Sequence, residues 1–374
     1  MFSNSTTMEN RRYYFIDNIR WVVVLLVLLY HVFYNYNSLG VFGGIGGFEP
    51  NQWQDIVGTL LYPWFMTLLF VVAGASSRYA LQRHTAEEFR AERRRKLLIP
   101  STLGIVLFGW VLGAMNMANA GIVLPEGTPR WVILLILIPS GTGHLWFIQD
   151  LFAFSLLLLL VHKIVDIERI DKWIATISKR SIAAIIVAIF AVLYLSSQTQ
   201  IDNPEPSEGL LNLYRPIYYF IVFLMGYYIF SSETIHSYLA SKAKLLIGLA
   251  LISATAFAIR YYGADYTLPD VIQSPLCSLF CWTAIIAMFG GFKHWADKSS
   301  PFANYMARSS FGVYIVHMTV CTGACLLLKQ TNLPVWSIYA IAITTTFCGS
   351  FMLWELLRRI PFVRWCMFGI KLKR

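Results

Sequence analysis

Trp21-Val22-Val23-Val24-Leu25-Leu26-Val27-Leu28-Leu29 decides the fold: it carries no polar side chain and runs from Arg20 to Tyr30-His31. Phe65 to Ala75 repeats the character with only Thr67, and Leu151 to Val161 with only Ser155. Runs this apolar and this frequent require lipid around them. In lipid every backbone polar group must be paired internally, which leaves helices or closed barrels. Barrel strands alternate apolar and polar residues, and these runs do not. The chain therefore reads as an all-α, polytopic integral membrane protein. Composition agrees: 57% of the 374 residues are hydrophobic and 13% are charged, against about a quarter charged in soluble domains.

About ten transmembrane helices are expected, near 19–36, 56–80, 97–117, 144–162, 181–197, 214–230, 244–261, 271–290, 306–328 and 335–356. The stretch 131–139 is apolar but short, and reads as a re-entrant or interfacial piece, or as an extension of the fourth span through a break. The net charge of +10 is a topology signal, not a nucleic-acid footprint, because the cations fall in every second connection. Arg11 and Arg12, the run from Arg90 to Lys96, Lys163 to Arg180, and the tail from Arg358 to Arg374 all lie on one side. By the positive-inside rule both ends are cytoplasmic, N-in and C-in. The other side holds a glycine-rich connection, 37–55, and an acidic one with Asp202, Glu205 and Glu208. The first run has no cleavage site behind it and reads as a retained span. Residues 1–374 read as a single membrane domain, with a cytoplasmic segment at 1–18 and a basic tail at 357–374. Six scattered cysteines read as packing residues.

Three histidines fall inside spans. His31 lies eleven residues after Arg20, about 16 Å deeper at helical rise. An ionisable residue at that depth is a functional candidate by default and must face the interior of the bundle or water; the plainer reading is a hydrogen-bonded lock between helices. Asp17, Arg20 and His31 share a face, with Asp17 capping the helix or pairing with Arg20. Asn35, one turn on, is placed to orient the ring or line the path, while Tyr30 points elsewhere. His144, in Gly143-His144-Leu145-Trp146-Phe147, either serves the acceptor side of a pocket or anchors a turn. Ser310, Tyr314 and His317 share one face through spacings of four and three, which suits a lined cavity or a packing network. The three histidines lack metal-ligand spacing, so no metal is assigned. Arg90, Arg93, Arg94, Arg95 and Lys96 form the densest charge run. It either anchors topology and binds anionic lipid headgroups or forms a phosphate-binding mouth.

These stretches resemble membrane acyltransferase family 3, which acylates sugars and related hydroxyl compounds on bacterial envelopes. The family's first span carries Arg or Lys and His separated by ten residues, matched by Arg20 and His31. Its Arg-x-x-Arg approach to the third span, often ending in Pro, resembles Arg93-Arg94-Arg95-Lys96 before Pro100, with Arg90 and Arg93 offering the same spacing one turn earlier. Gly143 to Phe147 is similar to its His-Leu-Trp-Phe segment, and Ser310 to His317 to its Ser-x-x-x-Tyr-x-x-His stretch. Trp354-Glu355 before Arg358-Arg359-Ile360-Pro361 is similar to the ending of the branch that includes the osmoregulated periplasmic glucan succinyltransferase. The chain departs from the pattern at Ala73-Gly74-Ala75, where a Gly-Phe pair is usual, and at Trp21, where a small residue is usual.

The resemblance implies a bacterial cytoplasmic (inner) membrane enzyme. It would move an acyl group, acetyl or succinyl foremost, from cytoplasmic acyl-coenzyme A to a hydroxyl of an envelope glycan or lipid-linked saccharide. Arg20 and the run Arg90, Arg93, Arg94, Arg95 and Lys96 would hold the cosubstrate. His31 would be the general base or carry an acyl-histidine. Ser310, Tyr314 and His317 would be oxyanion donors, and His144 would stand on the acceptor side. Membrane lipids are the remaining partners, and nucleic acid is not one. Two other classes fit many spans with polar interiors: a transporter or flippase of an envelope lipid or saccharide, which moves substrate without a donor, and a scaffold, which tolerates loss of all three histidines.

Overall fold

The computed structural model describes residues 13–50, 52–199 and 214–371, the side chains of 178–180 excepted. Arg11, Arg12, Lys373, Arg374, the acidic connection with Asp202, Glu205 and Glu208, and the side chains of Lys179 and Arg180 lie outside the described residues. The described chain is helical without strands, and the protein is an all-α polytopic membrane protein. In chain order the helices are α1 (Tyr14–Asn35), α2 (Ile56–Leu61), α3 (Phe65–Leu81), α4 (Ala86–Arg93), α5 (Ile105–Asn119) and α6 (Arg130–Ser140). They continue with α7 (Trp146–Ile164), α8 (Ile167–Ser197), α9 (Pro216–Tyr228), α10 (Glu233–Ser241) and α11 (Ala243–Tyr261). The last are α12 (Pro269–Ile272), α13 (Pro275–Trp295), α14 (Pro301–Lys329), α15 (Val335–Leu357) and α16 (Pro361–Phe368).

Local chemistry sets the boundaries. Ser274 and Ser300 each accept a backbone N–H three residues on, directly ahead of Pro275 and Pro301 at the first helical position. Both residue types suit a helix start. Thr85 and Glu88 form a reciprocal capping box at α4, satisfying two backbone donors at once. Between α4 and α5 the backbone adopts two successive π-helical turns, Arg94–Leu98 and Pro100–Gly104. An added residue per turn of this kind often marks a functional site.

Among the described residues, eight helices or merged helices are long and apolar enough to cross a bilayer. They coincide with eight of the ten expected spans. The other two, at 181–197 and 214–230, correspond to the shorter apolar helices Ser181–Ser197 and Pro216–Tyr228. The 13 residues of α9 rise only about 20 Å, less than a hydrocarbon core of about 30 Å. The short stretch near 131–139 is α6, a helix of its own with no buried residue. It lies against α5, where Asn116 donates to the Ser140 carbonyl at 2.7 Å. Within the expected 1–18 segment, residues 14–18 are helical and belong to the start of α1. They are held there by Asn18, which donates to the carbonyls of Ala296 (2.7 Å) and Lys298 (3.1 Å).

The core is a continuous apolar cluster centred on α1, α3, α9, α13 and α14. Small residues let backbones touch, as in other membrane bundles: a Cβ on Gly74 of α3 would meet the carbonyl of Phe223, and one on Gly226 of α9 would meet that of Val71. At one end of the bundle lie Arg20, Arg78 and Arg93. Toward the other, the glycine-rich connection folds over the bundle. Its Gly46 and Gly47 carbonyls accept from Lys329 at 2.7 and 2.5 Å, and the ammonium lies 4.0 Å from the Phe48 ring centre.

Candidate active site

α1 carries His31 to the wall of a cavity of about 230 Å³. His144, at the break before α7, and Tyr314 of α14 line the same cavity. The rest of the wall is mostly aromatic, including Tyr34, Tyr62, Phe65, Trp146, Tyr214 and Tyr219. None of the described lining side chains is a carboxylate, ammonium or guanidinium.

The imidazoles form one cluster. Ring centres of His31 and His317 lie 4.9 Å apart, and those of His144 and His317 lie 4.8 Å apart. His31 Nδ1 is 2.8 Å from the Val27 carbonyl and 3.2 Å from His317 Nε2. His317 Nδ1 is 2.5 Å from the Tyr314 carbonyl, and His144 Nε2 is 3.0 Å from the Ile315 carbonyl. The Tyr314 hydroxyl donates to the His144 carbonyl. A single helical turn of α14 thus organises both other histidines.

The placement corrects several readings. His317 is fully buried and stands behind His31, outside the cavity wall. Ser310 does not reach the cavity either, because its hydroxyl turns back to the Ala307 carbonyl at 3.3 Å. Tyr314 lines the cavity, but its hydroxyl proton is taken by His144. None of the three is therefore aimed as an oxyanion donor. Tyr30, expected to point away, lines the cavity beside His31, and its hydroxyl accepts from that of Tyr266 at 3.4 Å. Asn35 does not touch His31; it donates to Cys321 Sγ at 3.4 Å. Tyr34, Tyr62, Tyr214 and Tyr219 carry no distinguishing sequence signal, because each stands among other aromatics and they converge only through packing between helices.

At the basic end, Arg20 pairs with Asp17 (3.2 Å) and donates to Ser76 Oγ (2.7 Å). Arg93 turns inward beside it and donates to the neighbouring Ser77 Oγ (3.3 Å), its guanidinium 4.6 Å from the Phe89 ring. The rest of the run disperses. Arg90 and Arg94 are exposed, Arg95 donates to the Gly369 carbonyl, and Lys96 pairs with Glu92 at 2.6 Å. Arg78 pairs with Asp171 at 2.6 Å. Among the described residues, no group of three or more His, Cys, Asp and Glu side chains is arranged to hold a metal ion.

A multi-spanning bundle with a histidine-walled cavity and arginines gathered at one end suits a membrane-embedded group-transfer enzyme. The sequence profile described as an acyltransferase domain, acyltransferase family 3, matches residues 13–355; the chain belongs to that family and is a membrane O-acyltransferase. It is similar to glucans biosynthesis protein C of Escherichia coli strain SMS-3-5 / SECEC, 21% identical over 381 residues that cover 96% of this chain and 95% of the relative. The proteins of that name from strains O9:H4 (HS) and SE11 align with the same identity and coverage. No solved structure matches the chain.

Proposed function

We propose that this protein transfers a short acyl group from acyl-coenzyme A to a hydroxyl of an envelope glycan or lipid-linked saccharide, with His31 as general base. It would do so in the cytoplasmic membrane of a bacterium, with both chain ends and the arginine run on the cytoplasmic side. The observation that carries the reading is His31 itself: Nδ1 is held by Val27 and His317, while the ring lines the cavity. Nε2 is then the nitrogen left for a substrate. The relatives' name adds support for a glucan-type acceptor. So does the wall, since aromatic faces without charge suit a neutral sugar ring.

Arg20 and Arg93 fit the cosubstrate's phosphates. Their guanidiniums meet on adjacent serines at one end of the bundle, and paired guanidiniums suit phosphate oxygens. Arg90 and Arg94 stand exposed at the same approach. Arg95 and Lys96, engaged by Gly369 and Glu92, contribute charge. In the reaction His31 Nε2 takes the hydroxyl proton as the acceptor oxygen bonds to the thioester carbonyl carbon. The C–S bond then breaks, and the thiolate recovers the proton from the imidazolium. The test is release of free coenzyme A and acylation of a saccharide acceptor by purified protein. His31→Ala is expected to lower transfer by about 10²-fold or more with unchanged helical content. Near-normal turnover in that variant would remove His31 from the mechanism.

A further inference from the structure

We infer that His317 is a positioning residue for His31: it supplies a second acceptor for the Nδ1–H of His31 and so fixes the tautomer and ring orientation that present Nε2 to the cavity. The inference rests on the reading of His31 as base. It follows from hydrogen-bond direction alone. A carbonyl oxygen only accepts, so the contact between His317 Nδ1 and the Tyr314 carbonyl places the His317 proton on Nδ1. In the neutral ring, Nε2 is then a lone pair. That lone pair faces His31 Nδ1 at 3.2 Å, and the same Nδ1 also faces the Val27 carbonyl at 2.8 Å. Two acceptors on one nitrogen require the proton there, which leaves His31 Nε2 unprotonated.

The division of labour is that of a base and its orienting partner. Val27 lies one turn back on the same helix and moves with His31, so it cannot fix the ring against the rest of the bundle. His317 belongs to α14, is fully buried, and is itself held by the Tyr314 carbonyl. When His31 takes a proton, the Nδ1–H bond to His317 strengthens, because a charged donor bonds more strongly than a neutral one. His144 does not share the role. Its Nε2 donates to the Ile315 carbonyl, and it lines the cavity directly.

The experiment compares His317→Gln and His317→Leu in the full-length protein, purified in micelles. The Gln amide carbonyl can accept where Nε2 did; Leu fills the space with no acceptor. Gln is expected to stay within about tenfold of the wild-type kcat. Leu is expected to fall on the order of 10- to 100-fold, the scale seen when a metal-bound imidazole loses its orienting partner, with KM for donor and acceptor changed less than about twofold. Nitrogen-15 spectra of histidine-labelled protein give a readout independent of turnover: His31 Nδ1 is expected to be protonated in wild type and Gln, and both tautomers are expected in Leu. Equal loss in Gln and Leu, or wild-type kcat and spectra in Leu, overturns the inference. If His31→Ala is inactive while Leu keeps full kcat, only the role of His317 falls. If His31→Ala turns over normally, the base reading itself fails.

Discussion

Arg93 shows how far single residues could be read. Both registers of the Arg-x-x-Arg pattern contain it, paired with Arg90 or with Lys96, and spacing alone did not choose a partner. In the fold its working neighbour is neither of these; it is Arg20, on a different helix, through Ser76 and Ser77. The π-helical turn that begins at Arg94 breaks the 3.6-residue periodicity on which facing arguments rest, so Arg95 and Lys96 turn to other partners. Arg93→Gln is expected to raise KM for the acyl donor about tenfold or more, since a hydrogen bond to a charged group contributes about 1.5–3 kcal/mol. Arg90→Gln, on the exposed face, is expected to change it less than about twofold. Initial rates over a donor titration check both, and similar effects for the two variants would mean the run acts only as diffuse charge.

At the scale of elements, the long apolar runs were legible because eight of them must satisfy the same thickness of lipid. Contacts between elements were not. Ser310, Tyr314 and His317 share the spacing that suggests one polar face, yet what each meets depends on α1 and the turn before α7. Ser310 turns back to the Ala307 carbonyl of its own helix instead, and the wall tyrosines enter. The α3–α9 crossing is a further case: the sequence marks Gly74 only within a departure from a family pattern and does not mark Gly226, but each faces the other helix's backbone. Gly226→Leu is expected to cost at least about 1–3 kcal/mol, the usual scale for forcing extra methylenes into a packed site. Gly248→Leu on α11, where nothing lies within 4 Å of the added carbon, serves as control. Thermal unfolding in detergent should show a lowered midpoint for the first and an unchanged one for the second.

For the whole molecule, the basic end is closed by a polar network that joins three helices. Lys293 of α13 pairs with Glu233 of α10 (3.2 Å) and with Asp297 (3.0 Å), and Asp297 accepts the Phe15 N–H of α1 (3.2 Å). His236, with Nδ1 3.9 Å from the carboxylate, and then Lys293 hold the Glu233 carboxyl down at about 2. A depressed carboxyl contributes stability above its ordinary value, and that contribution is lost as pH falls toward the folded one. The midpoint of thermal unfolding is therefore expected to hold from pH 7 to about 5 and to decline between about 4.5 and 2. Glu233→Gln should start lower and decline less over that window; parallel curves for the two proteins would exclude Glu233 as a contributor.

The carbonyl that holds Arg95 belongs to Gly369, 274 residues later in the chain. His31 and His317 are 286 residues apart, and Phe15 and Asp297 are 282 apart. During synthesis the first helix and its arginine leave the ribosome long before any of these partners exist. A chain halted after α13 would hold the charge of the arginine run but neither the histidine pair nor the Gly369 carbonyl that accepts from Arg95. Closure of the histidine cluster is thus among the last events in the protein's making.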